Sequence, residues 1–226
     1  MNSFPSAMPR VIVYAGHYGS GKTMLAVNTA LALRAMGKRV LLVDLDIVNP
    51  YFRTHDHRER LEAAGVRLVV SEYAGSNAEL PGFPPEAAAA FDDPGLSAVL
   101  DVGGDDRWAL ALGRYAARLA EAGAAVWMVV NAYRPLTARP EQAAQAKEEI
   151  ERASRTRFTG LVNNSNLGAG TTPEDVLATR DYIRQVSRAT GLELAFTSAR
   201  REIAEALRRQ MEGTVFGITV FLQIPH

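Results

Sequence analysis

The feature that most constrains the fold is the alternation of short apolar runs with helical patterns along almost the whole chain. Seven runs rich in β-branched residues predict strands, at residues 11–15, 40–45, 66–70, 98–102, 125–130, 158–162 and 192–196. Several of these runs are apolar on both faces, which is typical of parallel strands covered by helices on both sides. The pattern therefore predicts an α/β fold: a doubly wound, mostly parallel sheet with helices on both faces.

Helical periodicity fills the intervals between these strands, at residues 22–36, 106–122, 140–154, 173–190 and 199–211. Three of these stretches are followed by a glycine, which a left-handed helix cap favours, at Gly37, Gly123 and Gly191. A further apolar run at residues 215–222 predicts a last strand. Each predicted strand is thus separated from the next by a helix or by a loop.

The 226 residues suit one α/β domain with a substantial core. No internal repeat, low-complexity segment or linker divides the chain, so we expect a single domain over residues 1–226. The least regular piece, residues 71–94, contains several prolines. We interpret it as a surface excursion of that domain rather than as a boundary.

Composition excludes several classes of function. Twenty-five basic residues balance twenty-five acidic ones, so no global field draws the chain to nucleic acid or to an anionic membrane. The absence of cysteine excludes disulfides, thiolate metal sites and cysteine nucleophiles. The first ten residues lack the apolar run of a secretory signal, and no stretch has the length of a membrane-spanning helix. We therefore expect a cytoplasmic protein.

The most specific motif is G-x-x-x-x-G-K-[ST], which lies between the first predicted strand and the first predicted helix. Backbone N–H groups of such a loop surround phosphate oxygens, and the helix N-terminus adds partial positive charge. Lys22 would reach the β- and γ-phosphates, and the Thr23 hydroxyl would bind Mg²⁺. The alternative is a glycine-rich turn that only joins strand to helix. The motif predicts ATP-binding residues Gly16, His17, Tyr18, Gly19, Ser20, Gly21, Lys22 and Thr23.

Acidic residues follow the second predicted strand. Asp44 and Asp46 are two residues apart, so their side chains share a direction at the carboxyl end of that strand, where α/β sheets bind ligands. One of the two would bind Mg²⁺ through water, while the other would orient an attacking water. The alternative is a strand end that serves only solubility.

The fourth predicted strand ends in Asp101, which matches an acid that binds Mg²⁺ through water. Asp101 and Gly104 have the D-x-x-G spacing of a switch in which the glycine N–H contacts the γ-phosphate. Asp105 and Asp106 have a competing interpretation as N-caps of the next helix. Because of the D-x-x-G spacing, we assign Gly104 to the ATP-binding residues. Because of its position at the strand end, we assign Asp101 to the Mg²⁺ ligands.

Two asparagines follow the sixth predicted strand. A carboxamide offers one donor side and one acceptor side, which suits the edge of a purine. The guanine-reading N-K-x-D motif is absent from the sequence, so adenine is favoured and Asn164 is assigned to ATP. Asn163 and Asn164 have an alternative interpretation as loop-forming asparagines.

In this order and at these intervals, the phosphate loop, V-D-L-D, D-V-G-G-D-D and G-L-V-N-N resemble the MinD/ParA-like branch of P-loop ATPases, over residues 11–196. That branch includes nitrogenase iron protein, nickel-insertion ATPases and dethiobiotin synthetase. The resemblance implies that Lys22 contacts phosphate and Thr23 binds Mg²⁺. It also implies that Asp46 positions the hydrolytic water, that Asp101 is the switch aspartate and that Asn164 reads adenine. Thr197 and Ser198 fall where the family's loop flanks the base.

The chain departs from the family at its second, signature lysine, which reaches across a dimer to the partner's phosphates. That position holds His17, followed by Tyr18 where the family has glycine. A histidine carries charge only part of the time near neutral pH. The departure puts nucleotide-sandwich dimerisation and hydrolysis stimulated by a partner's lysine in doubt.

The resemblance implies a slow, Mg-dependent ATPase that acts as a nucleotide switch on a client protein. One alternative is an ATP-dependent small-molecule kinase or ligase, as in dethiobiotin synthetase. A second alternative is a nucleotide-binding module without meaningful hydrolysis.

Overall fold

The computed structural model describes residues 8–45, 57–70, 85–104, 109 and 112–221. Eight strands form one sheet, and all of their pairings are parallel. The strands are β1 (Val11–Ala15), β2 (Arg39–Asp44), β3 (Arg67–Val70), β4 (Leu96–Asp101), β5 (Ala125–Val130), β6 (Gly160–Asn163), β7 (Leu194–Arg200) and β8 (Val215–Ile218). Their order across the sheet is β3-β2-β4-β1-β5-β6-β7-β8, which places β1 near the middle.

Helices connect these strands and cover the sheet. They are α1 (Lys22–Ala35), α2 (Arg58–Ala63), α3 (Ala89–Asp92), α4 (Ala116–Glu121), α5 (Pro140–Ser154), α6 (Pro173–Leu177), α7 (Arg180–Thr190) and α8 (Arg201–Arg208). Short 3-10 turns lie at Pro85–Ala88 and Gly168–Gly170. No helix in the described ranges is both long enough and apolar enough to cross a membrane.

Alternate residues of β1 pack into two separate hydrophobic clusters, because successive side chains of a strand point to opposite faces. Val11 and Val13 pack with residues of α4, α5 and α7. Ile12 and Tyr14 pack with Leu25 and its neighbours in α1. Both faces of the sheet are therefore covered by helices, and the predicted doubly wound α/β fold is confirmed.

One predicted helix is divided. Residues 173–190 form α6 and α7, and Thr179 lies between them. The Thr179 hydroxyl donates to the carbonyl of Val176 at 2.8 Å and accepts a hydrogen bond from Asn163 Nδ2 at 3.1 Å. This contact with the end of β6 depends on tertiary packing, which the helical period of the sequence does not report.

The last predicted helix begins later than expected, at Arg201, because β7 continues through Arg200. Arg200 pairs with Ile218 of β8 in a parallel register. The predicted helix at residues 106–122 lies partly outside the described residues, and its last turns form α4.

Part of residues 71–94, which we interpreted as a surface excursion, contributes to the core. Ala87 and Ala90, in the 3-10 turn and in α3, are fully buried in the core that lies against β4. Small side chains allow this short helical segment to lie directly on the sheet. Residues 71–84 lie outside the described part of the chain.

The chain continues beyond β8 along the surface of α1. Asn28 Nδ2 donates to the carbonyl of Thr219 at 2.9 Å, and Asn28 Oδ1 accepts from the Thr219 N–H at 2.8 Å. Phe221 then packs against His57, with ring centroids 5.3 Å apart, while the guanidinium of Arg60 lies 4.0 Å from its ring centroid. A buried asparagine thus fixes this segment as a strand would, by pairing with both backbone groups of one residue.

Candidate functional site

The phosphate loop connects β1 to α1 near the centre of the sheet, between the carboxyl ends of β4 and β5. Gly21, immediately before α1, has a φ of 88°, and a Cβ at this position would lie 2.2 Å from Asn164 Nδ2. A side chain is therefore excluded both by the backbone conformation and by the neighbouring asparagine. The loop approaches β6 this closely only because residue 21 is glycine.

Lys22 and Thr23 begin α1. Lys22 is 6% exposed, and its Nζ donates to the carbonyl of His17 at 3.1 Å, so the side chain curls over the loop. Thr23 is half-buried and lines the same cavity as Lys22. The N-terminal end of α1 thus brings an ammonium group, a hydroxyl and the first N–H groups of a helix to one point.

Asp44 and Asp101 end the neighbouring strands β2 and β4 and are partners in the parallel register. Both are almost fully buried, with 2% and 1% of their surface exposed. Neighbouring strands lie about 4.8 Å apart, so the two carboxyl groups are close neighbours. The sequence predicted both residues as acids at strand ends, and the strand order places them side by side.

The two acids face the side of the sheet that α1 covers. Side chains two residues apart on a strand share a face, so Asp44 lies on the same face of the sheet as Leu42, and Asp101 lies on the same face as Val99. Leu42 and Val99 pack in the cluster that contains Leu25 of α1. The carboxylates therefore point to the same side as the helix that begins with the predicted phosphate and Mg²⁺ ligands.

Gly104 lies against the phosphate loop. A Cβ on Gly104 would lie 2.6 Å from the backbone nitrogen of Tyr18 and 3.2 Å from the carbonyl carbon of His17. The end of the D-x-x-G segment is thus in direct contact with the loop, and only a glycine permits this approach. A shift of either segment therefore has to be accommodated by the other.

Asn164 lies beneath the phosphate loop. Its Nδ2 donates to the carbonyl of Ser20 at 2.6 Å, and its Oδ1 accepts from the hydroxyl of Ser198 at 2.5 Å. Asn163 is also buried, and its Oδ1 accepts from both the N–H and the hydroxyl of Ser165. Both carboxamides hold the loop after β6 in place. Asn164 also lines the cavity, at the position where the sequence predicted a base contact.

A cavity of about 390 Å³ extends from the phosphate loop across the carboxyl ends of β6, β7 and β8. Its size suits a small-molecule ligand. The phosphate loop and the start of α1 form one side, the loop after β6 forms another, and the ends of β7 and β8 close the third. Ser198 lines this cavity, whereas Thr197 is buried and does not line it.

Two arginines of the cavity were not predicted as site residues. Arg134, from the loop after β5, lies beside Gly19 of the phosphate loop. Arg200 ends β7 and donates to the carbonyl of Thr171 at 3.1 Å. One signal could have indicated the Arg134 loop: Asn131 follows the apolar strand β5 in the same way as Asn164 follows β6.

Some predicted residues lie outside the described part of the chain, namely Asp46, Asp105 and Asp106. Within the described residues, no group of three or more histidines, aspartates or glutamates is arranged to hold a metal ion. Mg²⁺ needs no such cluster, because it keeps several waters and binds phosphate oxygens with one or two carboxylates. Thr23, Asp44 and Asp101 are oxygen donors of that type.

A family model of the CobQ/CobB/MinD/ParA nucleotide-binding domain matches residues 11–169. The chain belongs to this family. The match includes the phosphate loop, both strand-end acids, Gly104 and Asn164, so the predicted membership in the MinD/ParA-like branch is confirmed. A search of curated proteins by sequence finds no significant match.

Solved structures share the fold of this MinD/ParA-like domain. It is similar to the signal recognition particle 54 kDa protein of Aeropyrum pernix K1 in complex with GDP, with 18% identity and a TM-score of 0.53. It is also similar to the receptor FtsY from Elizabethkingia anophelis (18%, 0.52) and to FtsY from Mycoplasma mycoides (15%, 0.56). The matches cover 86%, 85% and 85% of this chain but only 42%, 59% and 61% of those chains. Identities this low show a common fold alone.

Proposed function

We propose that this protein binds Mg-ATP, hydrolyses it slowly and acts as a nucleotide switch on a partner protein. The observation that carries the proposal is the strand order: the complete phosphate loop follows β1, and β1 pairs with β4, whose Asp101 is the register partner of Asp44. A cation, a hydroxyl and two carboxylates then face the end of one helix, which is the donor set that a Mg-nucleotide requires. The nucleotide-binding family of the chain supports the same assignment.

The phosphate chain is bound by backbone N–H groups of the loop and by Lys22. In this structure Lys22 Nζ is occupied by the carbonyl of His17, so it exchanges that contact for phosphate oxygens when nucleotide binds. A hydrogen bond from the ammonium to a phosphate oxygen joins two opposite charges, so it is stronger than one from the ammonium to an uncharged carbonyl. The buried position of Lys22 limits competition from water.

Mg²⁺ fits the oxygen donors at this place. Thr23 would bind it directly through the hydroxyl, while Asp44 and Asp101 would hold its waters. The ion supplies neutralisation of the phosphate charge. The two buried carboxylates hold the cation on the α1 side of the sheet, where the loop holds the phosphates.

Adenine is the proposed base. The sequence lacks the guanine-reading N-K-x-D motif, and Asn164 lines the cavity next to the phosphate loop. We expect ATP to compete better than GTP for the site. A competition assay with the two nucleotides tests this choice, and a preference for GTP would reverse the assignment.

Hydrolysis is assigned to Asp46 as the residue that orients the attacking water, on the basis of the family resemblance. The Asp46→Ala protein should bind ATP and lose turnover, because the residue would act on water rather than on phosphate. Single-turnover hydrolysis measured with purified protein decides this. If Asp46→Ala hydrolyses ATP at the normal rate, the water is oriented elsewhere, and Asp105 is the next residue to replace.

The proposed site is tested directly by calorimetry with Mg-ATP on wild type and on Lys22→Ala. We expect the substitution to abolish binding, since it removes the lysine aimed at the β- and γ-phosphates. Lys38→Ala is the matched control, because Lys38 is exposed beyond the opposite end of α1. Normal affinity in Lys22→Ala would disprove the phosphate-site assignment.

Turnover separates the switch from the two alternatives that the sequence left open. A switch hydrolyses ATP slowly alone and faster with its partner. A kinase or ligase requires a small-molecule acceptor, and a non-catalytic module shows no single-turnover hydrolysis.

A further inference from the structure

We propose that Arg134 is a second cation of the phosphate site and contacts the phosphate chain of the nucleotide bound by its own chain. The inference rests on the proposed nucleotide-binding function and adds to it a residue from outside the phosphate-loop motif. The family has a signature lysine in the phosphate loop, and this chain has His17 at that position. Arg134 would supply the missing positive charge from a different loop.

The side chain of Arg134 lies directly beside the loop. Its Cδ and Nε are each 3.8 Å from the point where a Cβ on Gly19 would lie. These are ordinary van der Waals distances, so Arg134 lies against the loop at Gly19. Arg134 also lines the same cavity as Lys22 and Thr23. Its guanidinium is therefore next to the groups that would surround the phosphates.

The turn that carries Arg134 is held rigidly. The N–H of Arg134 donates to the carbonyl of Asn131 at 3.1 Å, and the N–H of Thr137 donates to the carbonyl of Arg134 at 3.0 Å. The Thr137 hydroxyl closes the turn by donating to the carbonyl of Asn131 at 2.8 Å. Asn131 and Thr137 are both buried. Ordering the turn therefore costs little when a ligand binds.

Contacts with other elements orient the whole turn. The N–H of Ala132 donates to Ser165 Oγ at 2.9 Å, and Asn131 Oδ1 accepts from the N–H of Asn166 at 3.3 Å. The hydroxyl of Tyr133 donates to the carbonyl of Asp175 at 2.7 Å. Burial raises the pKa of Tyr133, with a smaller effect from the nearby Asp175, so the hydroxyl remains a donor across the physiological range. The loop after β6 and helix α6 thus point Arg134 at the phosphate loop.

The guanidinium of Arg134 has N–H groups that are available to a ligand. Among the described residues, no hydrogen bond or salt bridge is formed by the Arg134 side chain, which is exposed. Several other arginine side chains donate hydrogen bonds within the protein. For example, Arg10 donates to the carbonyl of Ala90, and Arg200 donates to the carbonyl of Thr171. An arginine held on a rigid turn beside an anion site, with its planar fork of donors uncommitted, suits bidentate binding of phosphate oxygens.

The negative charges at the phosphate site favour a second cation in addition to Lys22. The triphosphate carries several negative charges, and two buried acids lie close by, at Asp44 and Asp101. Lys22 is the single lysine of the motif, and position 17 holds a histidine where the family has its signature lysine. A permanently charged guanidinium in cis would supply what a lysine at position 17 supplies in other members, without a second chain.

The test is calorimetry on the full chain with two probes, Mg-ATP and Mg-tripolyphosphate. We expect Arg134→Ala to weaken both by about tenfold, the size expected for loss of a charge-assisted hydrogen bond. Arg134→Lys should recover part of the loss. Arg139→Ala, an exposed arginine on the same connection that does not line the cavity, should bind like wild type. Equal unfolding temperatures would show that the variants keep the fold.

The outcomes are distinguishable. If wild type binds neither probe, the proposed function and this inference fail together. If Lys22→Ala loses binding and Arg134→Ala does not, the inference alone is wrong. A loss for Mg-ATP without a loss for Mg-tripolyphosphate would place Arg134 at the nucleoside and also overturn it.

A mixing experiment shows whether Arg134 contacts the nucleotide bound by its own chain, in cis, or the nucleotide bound by another copy, in trans. Arg134→Ala and Lys22→Ala proteins are combined and titrated with Mg-ATP. In cis, the mixture binds no better than Arg134→Ala alone. Recovery of wild-type affinity would show that Arg134 of one copy completes the site of another, and would contradict the proposal.

Discussion

Asn164 donates a hydrogen bond of 2.6 Å to the backbone carbonyl of Ser20, and so joins the loop after β6 to the phosphate loop. The two residues are far apart in sequence, but β6 lies only two strands from β1 in the sheet, so the loops that follow these two strands can meet. The contact occupies the donor side of the carboxamide, and the hydroxyl of Ser198 occupies the acceptor side. Asn164 therefore supports the shape of the phosphate loop as well as the wall of the cavity.

We expect Asn164→Ala to destabilise the protein by about 2 kcal/mol, because it leaves the Ser20 carbonyl and the Ser198 hydroxyl without their buried partner. Binding of Mg-tripolyphosphate should weaken as well, although this probe has no base. Thermal unfolding and calorimetry measure the two effects. Gln185→Ala, an exposed residue of α7, is the control. Tripolyphosphate affinity that stays normal would show that Asn164 does not support the loop.

Asp101→Asn should weaken the dependence of ATP binding on Mg²⁺ while leaving metal-free binding nearly unchanged. The reason is that an amide holds the waters of the cation less well than a carboxylate. Titration of ATP at several Mg²⁺ concentrations measures the effect. Asp44→Asn, its partner in the strand register, should act in the same direction. If neither substitution changes the Mg²⁺ dependence, the paired acids are not the metal site.

ATP alone should not drive the protein into a tight face-to-face dimer. His17 replaces a permanently charged lysine, and Tyr18 is 59% exposed on the phosphate loop, where two loops would have to approach closely. Light scattering with ATP and with ADP, on wild type and on Asp46→Ala, measures the oligomeric state. A clear shift from monomer to dimer with ATP would contradict the prediction, and His17 would then be the first residue to replace.

Glu151 should stabilise the end of α5 in a pH-dependent way. Burial alone raises its pKa, but hydrogen bonds from the Phe158 N–H, Lys147 and Arg157 outweigh burial and hold the pKa below its ordinary value. The stabilisation is therefore present above the ordinary pKa of a glutamate and is lost as the pH falls through the lowered value.

Glu151→Ala should lower the free energy of unfolding by about 2 kcal/mol at neutral pH, because the buried N–H of Phe158 loses its acceptor. Chemical denaturation at neutral and at acidic pH measures this difference. Glu148→Ala, an exposed glutamate of the same helix, should cost little at either pH. A destabilisation by Glu151→Ala that does not shrink in acid would show that its charge is not involved.

Much of the fold could be predicted because strand and helix periods are local properties of the chain. The seven predicted strands correspond to β1–β7, and the left-handed glycines at positions 37, 123 and 191 have φ values of 79°, 59° and 70°. The break at Thr179 could not be predicted, since it depends on a hydrogen bond from Asn163. The burial of Ala87 and Ala90 was missed for the same reason: only the neighbouring sheet distinguishes them from exposed alanines.

The sequence by itself determined the phosphate loop and the residue types around it, because that chemistry depends on fixed spacing within a short segment. Only the tertiary structure decided which strand ends meet. The crossover that places β4 between β2 and β1 brings Asp101 beside Asp44, and the order β1-β5-β6 brings Arg134 to Gly19 and Asn164 to Gly21 of the loop. Contacts between distant segments follow from strand order, and strand order is set by how the whole sheet buries its two apolar faces.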